Sequence, residues 1–451
     1  MTISPLDSVE VRADGHKYAL RPIAAGEDVI KYGQPIGHAT RPIAAGERVH
    51  THNLATNLAG KIAYRYTPCP PQPCPSHPSA DTFRAYRRAD GRVGIRNEIW
   101  IVPTVGCVNA LCERLAAATG GIALCHPYGC SQLGADHETT AGLLAALCRH
   151  PNAGGVLVVA LGCENNTLES FKARLGDVSR LNIRFLRAQD PGDEYAEGLR
   201  LIRELEAART DVRVEVPVSE LVVGLKCGGS DGFSGLTANP LVGRFSDWLV
   251  ARGGSAVLTE VPEMFGAETQ LMNRCRDRET FDRLVRMIDG FKDYYARHGQ
   301  PCSENPSPGN RAGGITTLEE KSLGCVQKGG TSPVCDVLDY GGRVRTRGLS
   351  LLSGPGNDLV SATALAAAGC HLILFTTGRG TPFGTVVPTV KIATNADLAV
   401  RKPHWIDWDA MTRPEVEPFA ARVLAVASGE SAANERQGAR GIAVFKDGVT
   451  L

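Results

Sequence analysis

Three glycine-flanked cysteines carry the strongest chemical signal in this 451-residue chain: Cys130 in His126-Pro-Tyr-Gly-Cys130, Cys163 in Leu161-Gly-Cys-Glu164 and Cys227 in Lys226-Cys-Gly-Gly-Ser-Asp231. Glycine lets the backbone approach a metal closely and aim its amides at a thiolate or a bound sulfide. Three thiolates leave one coordination position free, as a Lewis-acid catalyst requires. Their spacing matches no local zinc or ferredoxin pattern, so three buried core cysteines remain the competing reading. Cys107 and Cys325 stand in similar Gly-Cys settings and are reserve ligands, whereas Cys112, Cys125, Cys148, Cys275, Cys335 and Cys370 read as core.

Other groups could share the work. His126 and Glu164 adjoin two of the cysteines, and Asp231 and Glu260 lie at or after strand ends, where a partly buried acid or base can act beside a metal. The loops Cys227–Gly235, Ser353–Asp358 and Thr376–Gly384 are rich in glycine and can form amide concavities for an anion, with Arg379 as a carboxylate clamp. None has the Walker A or Rossmann glycine pattern, which speaks against ATP and NAD. His50 and His52, two residues apart, would share one face of a strand and could bind a metal or handle a proton; a surface pair is the alternative.

The elements that must position these groups fall into distinct regions. Arg21-Pro-Ile-Ala-Ala-Gly-Glu27 recurs unchanged as Arg41-Pro-Ile-Ala-Ala-Gly-Glu47, and units this short with tight glycine turns predict a compact all-β module over residues 1–64. The proline-rich stretch 65–82 reads as a stiff linker, whose Cys69, Cys74 and His77 are expected to be spacers rather than a zinc site. Strand and helix patterns then alternate, predicting two α/β lobes with parallel or mixed sheets over 83–215 and 216–451. Strands are expected at 98–105, 121–125, 155–161, 182–187, 220–225, 255–259 and 371–376. Helices are expected at 108–119, 136–148, 193–208, 240–252, 278–297 and 358–368, and Thr316-Thr-Leu-Glu319 has the form of a capping box opening another. Two of the three cysteines follow apolar strand-like runs, and loops after strands are where open α/β sheets keep their chemistry.

Forty-nine basic and 48 acidic residues give a formal charge of +1, so no general attraction to nucleic acid or an anionic membrane is expected and a small-molecule partner is the default. Neither a leader-like N-terminus nor a long apolar run occurs, and the cytoplasm is the expected compartment.

The chain resembles the altronate and galactarate dehydratase family of sugar-acid dehydratases over nearly its whole length. The resemblance rests on Asp14-Gly-His-Lys17, Lys31-Tyr-Gly-Gln-Pro-Ile-Gly37 and Val49-His-Thr-His-Asn-Leu54, similar to the family's SAF-type β-clip domain. It continues in Asp90-Gly-Arg-Val-Gly-Ile-Arg-Asn97, the three cysteine motifs, Cys227–Pro240 and Phe375-Thr-Thr-Gly-Arg-Gly-Thr-Pro382. Gly324-Cys-Val-Gln-Lys-Gly-Gly330 and the His-Thr-His-Asn segment look closer to the altronate branch. The resemblance implies elimination of water from a polyhydroxy acid to give a 2-keto-3-deoxy acid, with iron or another divalent metal.

On that resemblance Cys130, Cys163 and Cys227 are expected to hold iron, as Fe²⁺ or as an iron–sulfur cluster. His16, Lys17, His50, His52 and His126 are expected to transfer protons. Lys31, Tyr32, Gly228, Gly229, Ser230, Asp231 and Arg379 are expected to contact the substrate. A competing version gives a single Fe²⁺ to the histidines and leaves the cysteines structural. The alternatives in function are a galactarate-type dehydratase, a sulfo-lyase acting on sulfolactate, and a non-enzymatic sugar-acid binding module. A homo-oligomer is left open.

Overall fold

A computed structural model describes residues 4–58, 60–69 and 80–451. Cys74 and His77 lie outside the described residues; Cys69 is exposed, and its amide donates to the Asn273 carbonyl over 2.8 Å.

The repeat builds the N-terminal module by pseudo-symmetry. Each copy closes the same turn, with the Glu27 carboxylate accepting the Ala24 amide and the Glu47 carboxylate accepting the Ala44 amide, both at 2.9 Å. Ile23 and Ile43 pair across the centre in an antiparallel bridge. Two three-stranded sheets result, one of Val9–Val11, Lys17–Ala19 and Arg48–Val49, the other of Asp28–Lys31, Gln34–Ala39 and Leu54–Ala55. Their inward residues, among them Val29, Ile36, Ile43 and Val49, are fully buried.

One buried carboxylate of the C-terminal lobe gathers two lysines of this module, beside Glu319, which accepts from the Thr56 hydroxyl and the Asn57 amide. Glu320 accepts from Lys17 at 2.7 Å and from Lys31 at 2.8 Å, and all three side chains are buried. Burial pushes the Glu320 carboxyl up, but the two ammonium groups outweigh it and hold it down at about 2. One carboxylate cannot neutralise two ammonium ions, and the deficit falls on Lys17, which burial lowers to about 8 despite Glu320. A carboxyl depressed in the folded state contributes stability that is full above its ordinary value and is lost as pH falls through the folded one, so this fastening should fail between about pH 4.5 and 2. Glu320→Gln strands two buried cations and should cost about 3–5 kcal/mol in denaturant unfolding, with most of the stability difference between variant and parent vanishing below pH 3.

The second lobe is a four-stranded parallel sheet in the order Ile122–Ala123, Glu98–Pro103, Ala153–Ala160, Ile183–Arg187. It is covered by helices Asn109–Thr119, Gly134–Cys148, Leu168–Leu175 and Glu194–Ala208. The third of these was not expected from the sequence; Thr167 caps it by accepting the Ser170 amide. A small antiparallel sheet, Val214–Pro217, Thr82–Arg87, Val93–Gly94, lies where the lobes join.

The C-terminal lobe carries seven strands, all parallel. Their order is Val334–Leu338, Gly348–Leu352, Ser255–Leu258, Val222–Cys227, Leu372–Thr377, Thr389–Ala393 and Trp408–Asp409. The strand Val222–Cys227 is buried along most of its length, and its near-continuous apolar run is what a sheet covered on both faces demands. From Val222–Cys227 the chain moves to one side, and from its neighbour Leu372–Thr377 it moves to the other. That reversal opens a crevice at the carboxyl ends of these two strands, where open α/β sheets bind ligands. The helix expected from the Thr316 box runs Leu318–Cys325 with Thr317 as its cap; the Thr316 hydroxyl instead donates to Glu320 at 2.9 Å. No helix among the described residues is long and apolar enough to cross a membrane.

Candidate active site

Cys227 ends its strand at the crevice, and the chain folds two further ligand-type groups onto it. Cys325, at the end of the helix Leu318–Cys325, places its Sγ 3.3 Å from the Cys227 Sγ. Glu263, on the single turn Val261–Met264, places Oε2 3.1 Å from each sulfur. Among the described residues this is the one set of three or more His, Cys, Asp or Glu whose ligand atoms all lie within 4.8 Å of one another. Tetrahedral bonds of about 2.3 Å to sulfur and about 2.1 Å to oxygen put such donors roughly 3.6–3.8 Å apart. The set therefore fits a divalent ion after a few tenths of an ångström of opening, and Cys227 and Glu263 line the adjoining cleft.

Charge is arranged around these donors in alternation. Lys328 donates to the Cys227 sulfur at 3.0 Å, and Lys321 lies 2.7 Å from Glu263 Oε1. Glu260 accepts the Cys227 amide at 3.0 Å and pairs with Lys226, which also lies 3.1 Å from Asp358. The Cys325 thiol donating to Cys227, helped by Lys328 and Lys321 against the cost of burial, lowers Cys227 to about 6, while Cys325 is pushed well above its ordinary value. The pair thus holds one proton, on Cys325. Burial pushes Glu263 up, but Lys321, Lys328 and Lys226 outweigh it and keep it at about 2. Glu260 sits at φ 72°, a left-handed conformation that is strained for glutamate and typical of a functional turn.

A cleft of about 840 Å³ opens onto this group. Cys227, Gly228, Gly229, Glu263, Lys321 and Asn310 line its floor, and Tyr294, Tyr295 and His298, at the end of the helix Arg278–Arg297, line another wall. Gly228 has no room for a side chain, since a Cβ would lie 2.4 Å from the Phe375 ring and 2.6 Å from the Asp358 carboxylate. His298 bonds through Nε2 to Asp447, the oriented imidazole that proton transfer needs.

The residues singled out in the sequence are distributed over several places. Gly228 and Gly229 line the cleft, and the exposed Arg379 lies beside Gly229, its amide donating to the Gly229 carbonyl at 3.0 Å. Ser230 is buried with no partner for its hydroxyl. Asp231 is buried and accepts from Ser234, Thr394 and Asn395, so it braces the loop. Lys17 and Lys31 are consumed by Glu320, with Tyr32 packed beside them.

His16 and His50 face each other at 5.8 Å between centroids; Arg48 donates to His16, and the His50 Nε2 bonds the Arg311 carbonyl at 3.0 Å. Burial lowers both. Neither lines the cleft. His50 and His52 do not share a strand face: the strand ends at Val49, a turn closes as the Asn53 side chain accepts the His50 amide, and His52 is left exposed. His126 has both ring nitrogens on backbone, Nε2 to the Pro103 carbonyl and Nδ1 to the Tyr128 amide. Glu164 accepts the Leu161 and Gly162 amides and the Thr104 hydroxyl.

Cys130 and Cys163 are exposed on the second lobe and do not join Cys227. Cys227 takes Cys325 instead, because the helix after the Thr316 box points its C-terminus at the crevice. Glu263, Lys321, Lys328, His298 and Asp447 were not singled out; only Lys328 lay in a quoted motif, the one that also holds Cys325.

Paired thiols and a carboxylate among buried lysines, at the switch point of a parallel sheet and beside a cleft, have the makings of an α/β enzyme site for a small molecule. Comparison with known families matches the "Altronate/galactarate dehydratase SAF domain" over residues 7–57, the "D-galactarate dehydratase/Altronate hydrolase, second domain" over 85–209 and the "D-galactarate/Altronate dehydratase, C-terminal" over 218–450. The chain is 54% identical to an altronate dehydratase of Bacillus subtilis (strain 168), covering 98% of this chain and 94% of that protein. It is 53% identical to the altronate dehydratase of Escherichia coli (strain K12), covering 97% and 92%, and 34% identical to that organism's galactarate dehydratase (L-threo-forming), covering 89% and 81%. The chain belongs to the altronate/galactarate dehydratase family, and it is a hydro-lyase of sugar acids.

Proposed function

We propose that this enzyme dehydrates altronate to a 2-keto-3-deoxy acid, with Fe²⁺ held by Cys227, Cys325 and Glu263. The observation that carries the substrate is 53–54% identity to two altronate dehydratases over nearly the whole chain, against 34% to a galactarate dehydratase. Bound there, the ion would supply Lewis-acid polarisation of the substrate oxygens.

The chain's own groups do the rest. A proton beside a carboxylate is poorly acidic, so the enolate-like intermediate needs fixed positive charge on its carboxylate. Lys321, the Gly229 amide and Arg379 beside Gly229 support that role. His298, oriented by Asp447, takes the C2 proton and returns it to the departing C3 hydroxyl, so that water leaves and the enol remains to tautomerise. The buried network around Asp231 holds the amide loop in shape before substrate arrives.

Anaerobic enzyme supplied with Fe²⁺ should release 2-keto acid from altronate, with kcat/KM at least about tenfold above that for galactarate. In D₂O one solvent deuterium should appear at C3 of the product. Preference for galactarate, or binding without keto-acid release, would overturn the assignment.

A further inference from the structure

The cysteines left out of the active site are gathered at one edge of the second lobe. Thr104 and Ala160 continue the pairing of strands Glu98–Pro103 and Ala153–Ala160, the Thr104 amide donating to the Val159 carbonyl at 2.8 Å. Cys107 and Cys163 each follow three residues later. Cys130 lies in the loop after Ile122–Ala123, the neighbour on the other side.

The three loops are stitched together. The Gly106 amide donates to the Tyr128 carbonyl at 2.8 Å and the Asn166 amide to the Gly129 carbonyl at 3.0 Å. The Asn166 side chain donates to the Thr104 carbonyl at 3.1 Å, and the Asn165 side chain accepts the Ser131 amide at 2.9 Å. A Cβ on Gly129 would lie 2.0 Å from the Thr104 carbonyl oxygen, so only glycine allows this approach.

All three thiols are exposed, although free cysteine is among the most buried of residue types. Exposure of three at one edge, beside left-handed backbone at Gly129, Ser131 and Gly162, is the pattern of amides and thiolates that face a bound anionic cluster. Gln189 already donates toward the Cys163 sulfur at 3.6 Å. The three sulfurs are not all within 4.8 Å of one another, whereas one tetrahedral ion holds thiolates about 3.8 Å apart, so the edge does not fit a single ion.

We propose that Cys107, Cys130 and Cys163 hold an iron–sulfur cluster of the four-iron type, each thiol losing its proton on ligation, with the fourth iron free of any cysteine. The site is separate from Cys227, Cys325 and Glu263. It adjoins the cleft indirectly: the Leu451 amide donates to the Ser131 carbonyl at 3.0 Å, and Phe445 of the same terminal segment lines the cleft.

The full chain, incubated anaerobically with equal ferric and ferrous iron and with sulfide and then desalted, should retain about four iron and four acid-labile sulfide per chain. Iodoacetamide followed by peptide mass spectrometry should then find Cys107, Cys130 and Cys163 protected and the exposed Cys69 labelled. Cys227→Ser should keep the labile sulfide, and Cys130→Ser should lose most of it. Iron without sulfide, full labelling of the three cysteines after reconstitution, or sulfide retained in Cys107→Ser, Cys130→Ser and Cys163→Ser alike would overturn the proposal. Because sulfide and alkylation are read directly, failure here leaves the altronate assignment untouched.

Discussion

Serine in place of Cys227 should lower kcat by at least about a hundredfold while leaving the thermal transition within a few degrees of the parent. The thiol is buried within a group that is already complete, so loss of one sulfur removes a donor without opening a cavity. Metal titration should show the loss directly, with Fe²⁺ bound at least about tenfold more weakly by the variant. The pH profile offers a second readout. Cys227 is lowered to about 6 by the Cys325 thiol and by Lys328 and Lys321, so metal affinity and activity should rise with pH through about 6. Lys328→Gln removes one ammonium group and should move that limb upward. For stability the sign is the same: the contribution of the thiolate is full above the ordinary thiol range, shrinks as pH falls and is gone below about 6. A Cys227→Ser enzyme with parental kcat and parental metal affinity would remove these thiols from the mechanism.

His298→Ala should lower kcat by about 10²–10⁴ and leave metal content unchanged, which separates proton transfer from metal binding. Asp447→Asn should cost less, since the imidazole remains and only its orientation is loosened. Exchange of the substrate C2 proton with solvent, measured by mass spectrometry in D₂O, should disappear in His298→Ala. A variant that keeps more than half of the parental kcat would assign proton abstraction to another group of the cleft. His52→Ala is a useful contrast, because an exposed ring on a turn outside the cleft should leave kcat unchanged.

Much of the architecture was legible in local pattern. The helix expected at 278–297 is present as Arg278–Arg297, and the strand expected at 255–259 as Ser255–Leu258. Such elements are written by periodicity and by turn residues, both of which act within a few positions. The exact repeat of Arg-Pro-Ile-Ala-Ala-Gly-Glu announced a β module because each copy closes the same glutamate-bridged turn. Less of the site could be read. His50 and His52 looked like a strand pair because spacing alone does not show that Asn53 ends the strand at Val49. Lys17 looked like a proton-transfer group and Lys31 like a substrate contact, yet both meet Glu320, about three hundred residues away in sequence, and help fasten two domains.

By itself the sequence determined which family's motifs the chain carries and that several of its cysteines stand beside glycines in loops after strands. Tertiary structure decided which cysteines belong together. Cys227 and Cys325 lie 98 positions apart and Cys227 and Glu263 lie 36 apart, and they meet because the strand order places Val222–Cys227 between Ser255–Leu258 and Leu372–Thr377. The same sheet architecture keeps Cys130 and Cys163 on another edge with Cys107. Burial and turns leave a local trace in sequence because neighbouring residues produce them; the approach of side chains across a parallel sheet leaves none, because it depends on how long crossovers order the strands.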